Sequence, residues 1–250
     1  MIPFEIPNPL EMKRALCIQP HPDDNEFGAG ATIAKLAFEG VDVHYLTVTD
    51  GGSGSNDKSL PTQKLIEIRK KEQEEASSIL GVNKLHWLDF PDGHIYDSEE
   101  LRRELVRVIR TVRPDIIFTV DPWLDYETHL DHIVTGKVVS FAARISGNAR
   151  FYPEQLEADL KEHRVQAMAY YTTKNPNTFM NADSFWEKKL KAIAAHKSQF
   201  SGDYLMFITN YLSYKATESA KQIEDDSQYA ESFKILPLMF LHSNVDAIDM

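Results

Sequence analysis

Ala15-Leu16-Cys17-Ile18-Gln19-Pro20-His21-Pro22-Asp23-Asp24, with the small residues Gly28-Ala29-Gly30-Ala31 behind it, is the stretch whose reading decides the fold. The apolar run after Lys13-Arg14 reads as a short buried strand, which Pro20 and Pro22 stop abruptly. Ile33, Leu36 and Ala37 then recur at helical spacing, and Gly40 stands where a helix C-terminus favours glycine. Residues 41–48 alternate and are β-branched, a second strand that ends at Thr49-Asp50-Gly51-Gly52. Strand, polar turn, helix and strand in succession imply a parallel sheet.

The alternation continues outward. Residues 53–61 form a polar loop, and 63–80 a long charged helix with Leu65, Ile66, Ile68, Ala76, Ile79 and Leu80 on its apolar side and Gly81 at its end. Residues 84–88 are a third strand. Ser98 is a plausible N-cap, and Glu99 and Glu100 in the first turn favour the helix dipole. Residues 115–120 are a fourth strand, followed by a loop at 121–131 and a helix near 133–143. Residues 146–164 have no clear period and read as an insertion. A strand at 165–171 and a helix at 185–197 follow. From Gln199 the pattern weakens; 233–241 reads as a final strand or a packed extended segment, with Pro237 favouring an edge position or a non-strand. The fold expected is α/β: a Rossmann-like, three-layer α/β/α arrangement with a mostly parallel sheet, in a single domain over residues 1–250.

A chain of 250 residues with 42% hydrophobic and 26% charged residues can bury one sizeable core. Its formal net charge of -11 argues against a nucleic-acid partner, which needs clustered Lys and Arg. The one cysteine, Cys17, excludes an intrachain disulfide and a Cys-based zinc cluster, and suits a cytoplasmic location. The N-terminal residues, with an extended arm expected over 3–9, lack a signal-peptide pattern, and no apolar run is long enough to span a membrane.

Three polar clusters fall where strands should end: His21-Pro22-Asp23-Asp24, Thr49-Asp50-Gly51 and His129-Leu130-Asp131-His132. In open parallel sheets the functional crevice lies beyond the carboxyl ends of the strands, so the three can converge. A catalytic zinc site takes three ligands from His, Asp or Glu and keeps one position open. His21 and Asp24 can supply two from one turn, and His132 the third. Asp23 is then a free carboxylate, placed to act as general base. His129 is left to protonate a leaving amine or to meet a developing oxyanion, with Asp131 available to hold its imidazole. That is the minimum equipment for metal-assisted amide hydrolysis. Each cluster also has a plainer reading: His-Pro-Asp-Asp as a surface turn, His-Leu-Asp-His as an acidic helix N-terminus. The small residues 28–31 lack the Gly-x-Gly-x-x-Gly pattern and read as a close approach of helix to strand or loop.

At these residues the chain resembles the PIG-L/LmbE-like deacetylases. The resemblance is carried by an apolar strand running into His21–Asp24, the residues Gly28 to Ala31, Thr49 to Gly51, Arg69 with Glu72, and His129 to His132. It is nearest the diacetylchitobiose and N-acetylglucosamine deacetylase subgroup, through LCIQPHPDD, DPWLDYETHLDH, YYTTKNP and KLKAIAAHKSQF. Leu130 stands where proline is usual in the last motif, and Ala31 where glycine is common; neither removes a reactive group. The resemblance implies a hydrolase that removes the N-acetyl group from N-acetylglucosamine-type sugars. It implies one zinc per subunit, with other divalent metals open, held by His21, Asp24 and His132. It implies Asp23 as base, and His129 supported by Asp131. Arg69, Asp92 and His242 would contact the amino-sugar substrate, His242 in its own or a neighbouring subunit of a homo-oligomer. A deacetylase of a glucosaminyl conjugate in bacillithiol- or mycothiol-type thiol synthesis is the alternative within enzymes. A metal-binding protein without turnover is the alternative outside them.

Overall fold

The computed structural model describes residues 5–250. Part of the arm expected over 3–9 lies outside the described residues; its remainder leads into a short 3-10 turn at Pro9–Glu11, capped by the Asn8 side chain.

Seven strands form one sheet, β1 (Arg14–Gln19), β2 (Asp42–Thr49), β3 (Lys84–Phe90), β4 (Ile116–Val120), β5 (Ala167–Tyr171), β6 (Thr178–Asn181) and β7 (Ala230–Pro237), in the order β3-β2-β1-β4-β5-β7-β6. The first five are mutually parallel. β7 runs antiparallel to both β5 and β6, so the sheet is mixed but mostly parallel. The helices are α1 (Asp24–Phe38), α2 (Thr62–Leu80), α3 (Glu99–Val112), α4 (Leu130–Ile145), α5 (Pro153–Glu157), α6 (Trp186–Ala195) and α7 (Gly202–Ala220).

Side chains alternate across the sheet and so separate two apolar layers. Ala15 and Cys17 of β1, Ile116 and Phe118 of β4, and Ala167 and Ala169 of β5 face the layer shared with α1, α2, α6 and α7. Leu16, Ile18, Ile117 and Met168 face the layer shared with α3 and α4. Strands buried on both faces read as continuous apolar runs, which is why β1, β4 and β5 stand out in the sequence.

The small residues of α1 are required by its neighbours. A Cβ on Gly28 would lie 2.1 Å from the Tyr171 ring of β5, and one on Gly30 would lie 3.0 Å from Lys189 of α6. The buried ion pair Lys189–Glu231, 2.6 Å, locks the same stretch. Glu231 accepts from the amides of Ala31 and Thr32, and Lys189 donates to the Phe27 carbonyl.

β7 lies between β5 and β6, but β6 pairs only with Ala230–Phe233 and β5 only with Lys234–Pro237, so Pro237, the last residue of the strand, has β5 on one side and, among the described residues, no strand on the other. The ladder bond at this end is made by its neighbour, Leu238 N to Gln166 O at 2.9 Å, and the N–H that proline lacks would face away from β5. Two expectations need correction. The segment after Gln199 is α7, a 19-residue helix, and β6 is a strand the pattern did not show. Residues 146–164 contain α5 and are organised by one buried guanidinium: Arg110 donates to the carbonyls of Ser146, Asn148, Phe151 and Tyr152 and to the Gln155 side chain.

Candidate metal centre and its surroundings

β1 and β4 are neighbours in the middle of the sheet, with α1 leaving one and α4 following the other. Such a point, where the strand order reverses, opens a crevice at the carboxyl ends. It brings His21, just after β1, to His129, Asp131 and His132 at the start of α4. The His21 and His132 ring centroids are 5.3 Å apart, His21 and His129 4.6 Å, and His129 and His132 4.9 Å.

The His-Pro-Asp-Asp turn is held from several sides. Asp24 Oδ2 accepts from the His21 amide at 2.9 Å. The Asp23 amide donates to Gln73 Oε1 at 3.1 Å, and Gln73 also bridges Gln19 and Glu26. Asp23 sits at φ 117, a left-handed conformation that costs on the order of 1–3 kcal/mol and persists only where its surroundings enforce it. The enforcing partner is Arg69 of α2, which donates to Asp23 Oδ2 at 3.1 Å, to the Pro22 carbonyl at 2.8 Å and to the Gly51 carbonyl at 3.0 Å. Arg69 was expected to meet sugar hydroxyls. It is instead 3% exposed, and its guanidinium is turned onto the chain, shaping the turn and the Asp23 carboxylate.

His21 is surrounded by acids. Its Nδ1 lies 3.3 Å from Asp24 Oδ2, and its Nε2 lies 3.1 Å from Asp131 Oδ2 and 3.2 Å from Asp92 Oδ1. Burial opposes a charge on this ring, yet the three carboxylates outweigh it and push its pKa up to about 12. A pocket that draws a proton so strongly is a pocket that favours a cation. On the other side, His132 Nε2 lies 3.5 Å from Asp24 Oδ1. The two Asp24 oxygens thus face one imidazole each, Oδ2 toward His21 and Oδ1 toward His132, and the three side chains converge on one point. His21, Asp24 and His132 therefore fit a divalent zinc-type cation, their ligand atoms all lying within 4.8 Å of one another. A second grouping, His21 with Asp92 and His129, shares the first histidine.

Asp131 was expected to hold His129. Its hydrogen bonds go elsewhere, to His21 Nε2 and, at 2.7 Å, from the Gly93 amide. It is fully buried, and its other oxygen has no hydrogen-bond partner among the described residues. It thus orients the first imidazole, the usual task of a carboxylate behind a metal-facing histidine. His129 is exposed and its pKa is lowered, first by burial of its ring and then by the charges of His21 and His132. Asp92 is buried beside His21, and Thr49-Asp50-Gly51 explains its position: Asp50 Oδ1 accepts from the Asp92 amide at 3.2 Å, and Ser53 N donates to Asp92 Oδ2 at 3.0 Å. His242 is exposed after the 3-10 turn Leu238–Leu241, in a cavity of about 570 Å³ with Trp123 and Asp121. It does not line the pocket of about 300 Å³ that holds Asp23, Asp24 and His132.

One residue of the site escaped sequence reasoning. Glu127 Oε2 lies 3.1 Å from His132 Nδ1, and its other oxygen accepts from the His129 amide at 2.8 Å. The signal was an acid in the loop shortly before the last histidine, a spacing that a flexible loop leaves undetermined.

The family model described as PIG-L: GlcNAc-PI de-N-acetylase matches residues 16–143, more than half of the chain. The chain belongs to the PIG-L family. Diacetylchitobiose deacetylase of Thermococcus kodakarensis is 40% identical over 240 residues, covering 96% of this chain and 89% of that one. The solved structure of N,N'-diacetylchitobiose deacetylase from Pyrococcus horikoshii superposes with a TM-score of 0.92 at 38% identity, over 97% of this chain and 91% of the other. A probable N-acetyl-alpha-D-glucosaminyl L-malate deacetylase of Bacillus cereus is 30% identical over 200 residues, 75% of this chain and 84% of the relative. This PIG-L chain is a deacetylase of that family, a hydrolase with a His/Asp group able to hold a metal ion. No helix among its described residues is long and apolar enough to cross a membrane.

Proposed function

We propose that the protein is a zinc-dependent N-deacetylase acting on N-acetylglucosamine-type sugars, with diacetylchitobiose as the first substrate to test. The observation that carries the reading is the meeting of His21, Asp24 and His132, with ligand atoms within 4.8 Å of one another, beside Asp23, an acid outside the ligand set. The near full-length similarity to diacetylchitobiose deacetylases supports the sugar.

In this reading His21, Asp24 and His132 hold one zinc, which supplies Lewis acidity, making water acidic near neutrality and polarising a carbonyl oxygen. Asp23 takes the proton of the attacking water as the new carbon–oxygen bond forms. Its pKa is raised to about 6, chiefly by burial and further by Asp24, against the lowering charge of Arg69. A base in that range is ionised at neutral pH yet strong enough to accept a proton. Asp24 stays ionised: burial opposes it, but His132 and His21 hold its carboxyl far below the ordinary range. His129, on the open side of the cluster, donates a hydrogen bond to the developing oxyanion, and Asp23 passes the proton it has taken to the departing nitrogen. The carbon–nitrogen bond breaks, leaving acetate and the free amine. Asp131 and Glu127 keep the two ligand imidazoles in orientation; Arg69 keeps Asp23 in place. Asp92, beside His21, is the candidate contact for a sugar hydroxyl, and His242 acts on substrate only across a homo-oligomer contact or after movement of the C-terminal segment.

The test is acetate release from N-acetylglucosamine, diacetylchitobiose and a glucosaminyl malate conjugate, with and without chelator, by wild type and by Asp23→Asn. Chelator-sensitive release from the first two, retained metal and activity lower by roughly 10²–10⁴-fold in the variant are expected. Release from the malate conjugate alone moves the protein to the thiol-precursor group. Stoichiometric metal without release from any of the three makes it a metal-binding protein.

A further inference from the structure

Behind the His-Pro-Asp-Asp turn lies a line of buried polar groups that the mechanism does not use. Glu26, in the first turn of α1, and His196, at the C-terminal end of α6, are both wholly buried. His196 Nε2 lies 3.5 Å from Glu26 Oε2. Neither nitrogen of that ring has a hydrogen-bond partner among the described residues. Burying two such groups costs free energy, and apolar side chains of the same volume would serve a core as well. Packing alone therefore does not account for the pair.

Gln73 of α2 connects the pair to Asp23. Its amide has one accepting end and one donating end. Gln73 Oε1 accepts from the Asp23 N–H at 3.1 Å and from Gln19 Nε2 at 2.7 Å, while its Nε2 donates to Glu26 Oε1 at 2.9 Å. Turned over, the amide would set its NH2 against the Asp23 N–H and its oxygen against the Glu26 carboxyl. Glu26 thus fixes the sense of the Gln73 amide. That sense holds the Asp23 N–H, and the φ of 117 at Asp23 persists only where neighbours enforce it. His196 faces the remaining oxygen of Glu26. Burial opposes a proton on its ring, but Glu26 and then Asp23 outweigh it and raise its pKa.

The residues after His196 keep it in place. Ser198 donates to Glu72 of α2 from its amide at 2.8 Å and from its hydroxyl at 2.6 Å, and Gln199 donates to the Gly54 carbonyl at 3.2 Å. The segment clasps α1, α2 and the loop after β2 together, and its next residue, Phe200, lines the pocket that holds Asp23.

We infer that Glu26 and His196 are positioning residues for the general base: acting through Gln73, they hold Asp23 in the conformation from which it takes its proton. The inference rests on the deacetylase reading above, in which Asp23 is that base.

The experiment is a double-mutant cycle on acetate release from diacetylchitobiose by the metal-loaded full chain. His196→Ala should lower kcat by about 10–100-fold, the scale of a slightly misplaced reacting group, with KM and metal content unchanged. In an Asp23→Asn background the same change should cost less than about twofold, because the group it positions is gone. Equal factors in both backgrounds mark a merely structural role and overturn the inference while the deacetylase reading stands. Metal lost from the folded variant also overturns it. His196→Gln, which returns a donor toward Glu26, should restore most of the rate. His196→Asn, too short to reach Glu26, is the milder second variant; if neither it nor His196→Ala folds, His196 belongs to the core alone and the inference fails. Hydrogen exchange at the Asp23 amide reads the link apart from activity. It should quicken in His196→Ala while the central strands stay protected, and unchanged exchange breaks the link through Gln73. No acetate from any sugar with wild type defeats the deacetylase reading itself, and the inference with it.

Discussion

Removing the charge of Arg69 should move the acidic limb of the pH–rate profile upward. Its guanidinium lies 3.1 Å from Asp23 Oδ2 and 3.6 Å from Asp92 Oδ2. Two unit charges about 4 Å apart interact by roughly 4 kcal/mol at an effective dielectric of about 20, which would be about three pKa units and is an upper limit. Carboxylates beside an arginine shift by about 1–3 units in practice, and here Asp92 shares the same cation, so a rise of about one to two units is expected for Arg69→Gln. The sign follows from the proposed role. Asp23 must be ionised to take a proton, so activity is full above its pKa and is lost as pH falls through about 6. With the cation gone the carboxyl is harder to ionise, and the loss begins nearer neutrality. Arg69→Lys keeps the charge but not the fork that reaches Pro22 and Gly51, so it should lose rate while leaving the limb where it was. The glutamine variant leaves buried acceptors without a donor and should be less stable by about 3–5 kcal/mol, so the profile must be taken well below its Tm, with metal content measured in parallel. An unmoved limb in Arg69→Gln would refute Arg69 as the group that sets the Asp23 ionisation, and with it the assignment of that limb to Asp23.

Asp131→Asn should weaken metal binding by about 10–100-fold, read by competition with a chelating dye, because Asp131 orients His21; unchanged affinity with altered catalysis would return Asp131 to His129. Gly28→Ala should lower stability by about 1–3 kcal/mol in denaturant unfolding, since its Cβ would fall 2.1 Å from the Tyr171 ring; an unchanged midpoint would mean that α1 can ride away from β5 at no cost.

Much of the fold could be read from local pattern because the central strands are buried on both faces. Residues 15–18 and 116–118 are apolar for that reason, and the helices between strands carry stop and cap signals, such as Gly81 at φ 85 after α2 and Ser98 accepting from the Leu101 amide at the start of α3. What escaped lacks such a pattern. The exposed apolar residues Met206, Phe207, Tyr211 and Tyr214 spread around α7 and hide the buried stripe of Ile208, Leu212 and Ala216. The 146–164 segment gains order from Arg110, a residue in a different element, and no period within the segment can report that. β6 is four residues long and owes its place to pairing with β7, a segment separated from it in sequence by α6 and α7.

The site was legible as a set of residue types but not as a set of partners. Three clusters at strand ends name the reactive groups; which carboxylate serves which histidine depends on adjacency of β1 and β4, a property of the sheet order. That order sends Asp131 to His21 and leaves His132 to Glu127. The twin acids Asp23 and Asp24 make the same point most sharply. They are neighbours in sequence, yet one is flanked by two imidazoles and its carboxyl is driven far down, while the other, carried at a left-handed φ onto Arg69, has its carboxyl raised to about 6 by burial. Two adjacent groups pushed apart in ionisation are suited to different tasks, one to bind a cation and one to exchange a proton. The separation comes from the burial of Asp23 and from the imidazoles beside Asp24, and the backbone conformation that points the two carboxyls apart is enforced by Gln73 and Arg69, both on α2 and both remote from the reacting atoms in sequence.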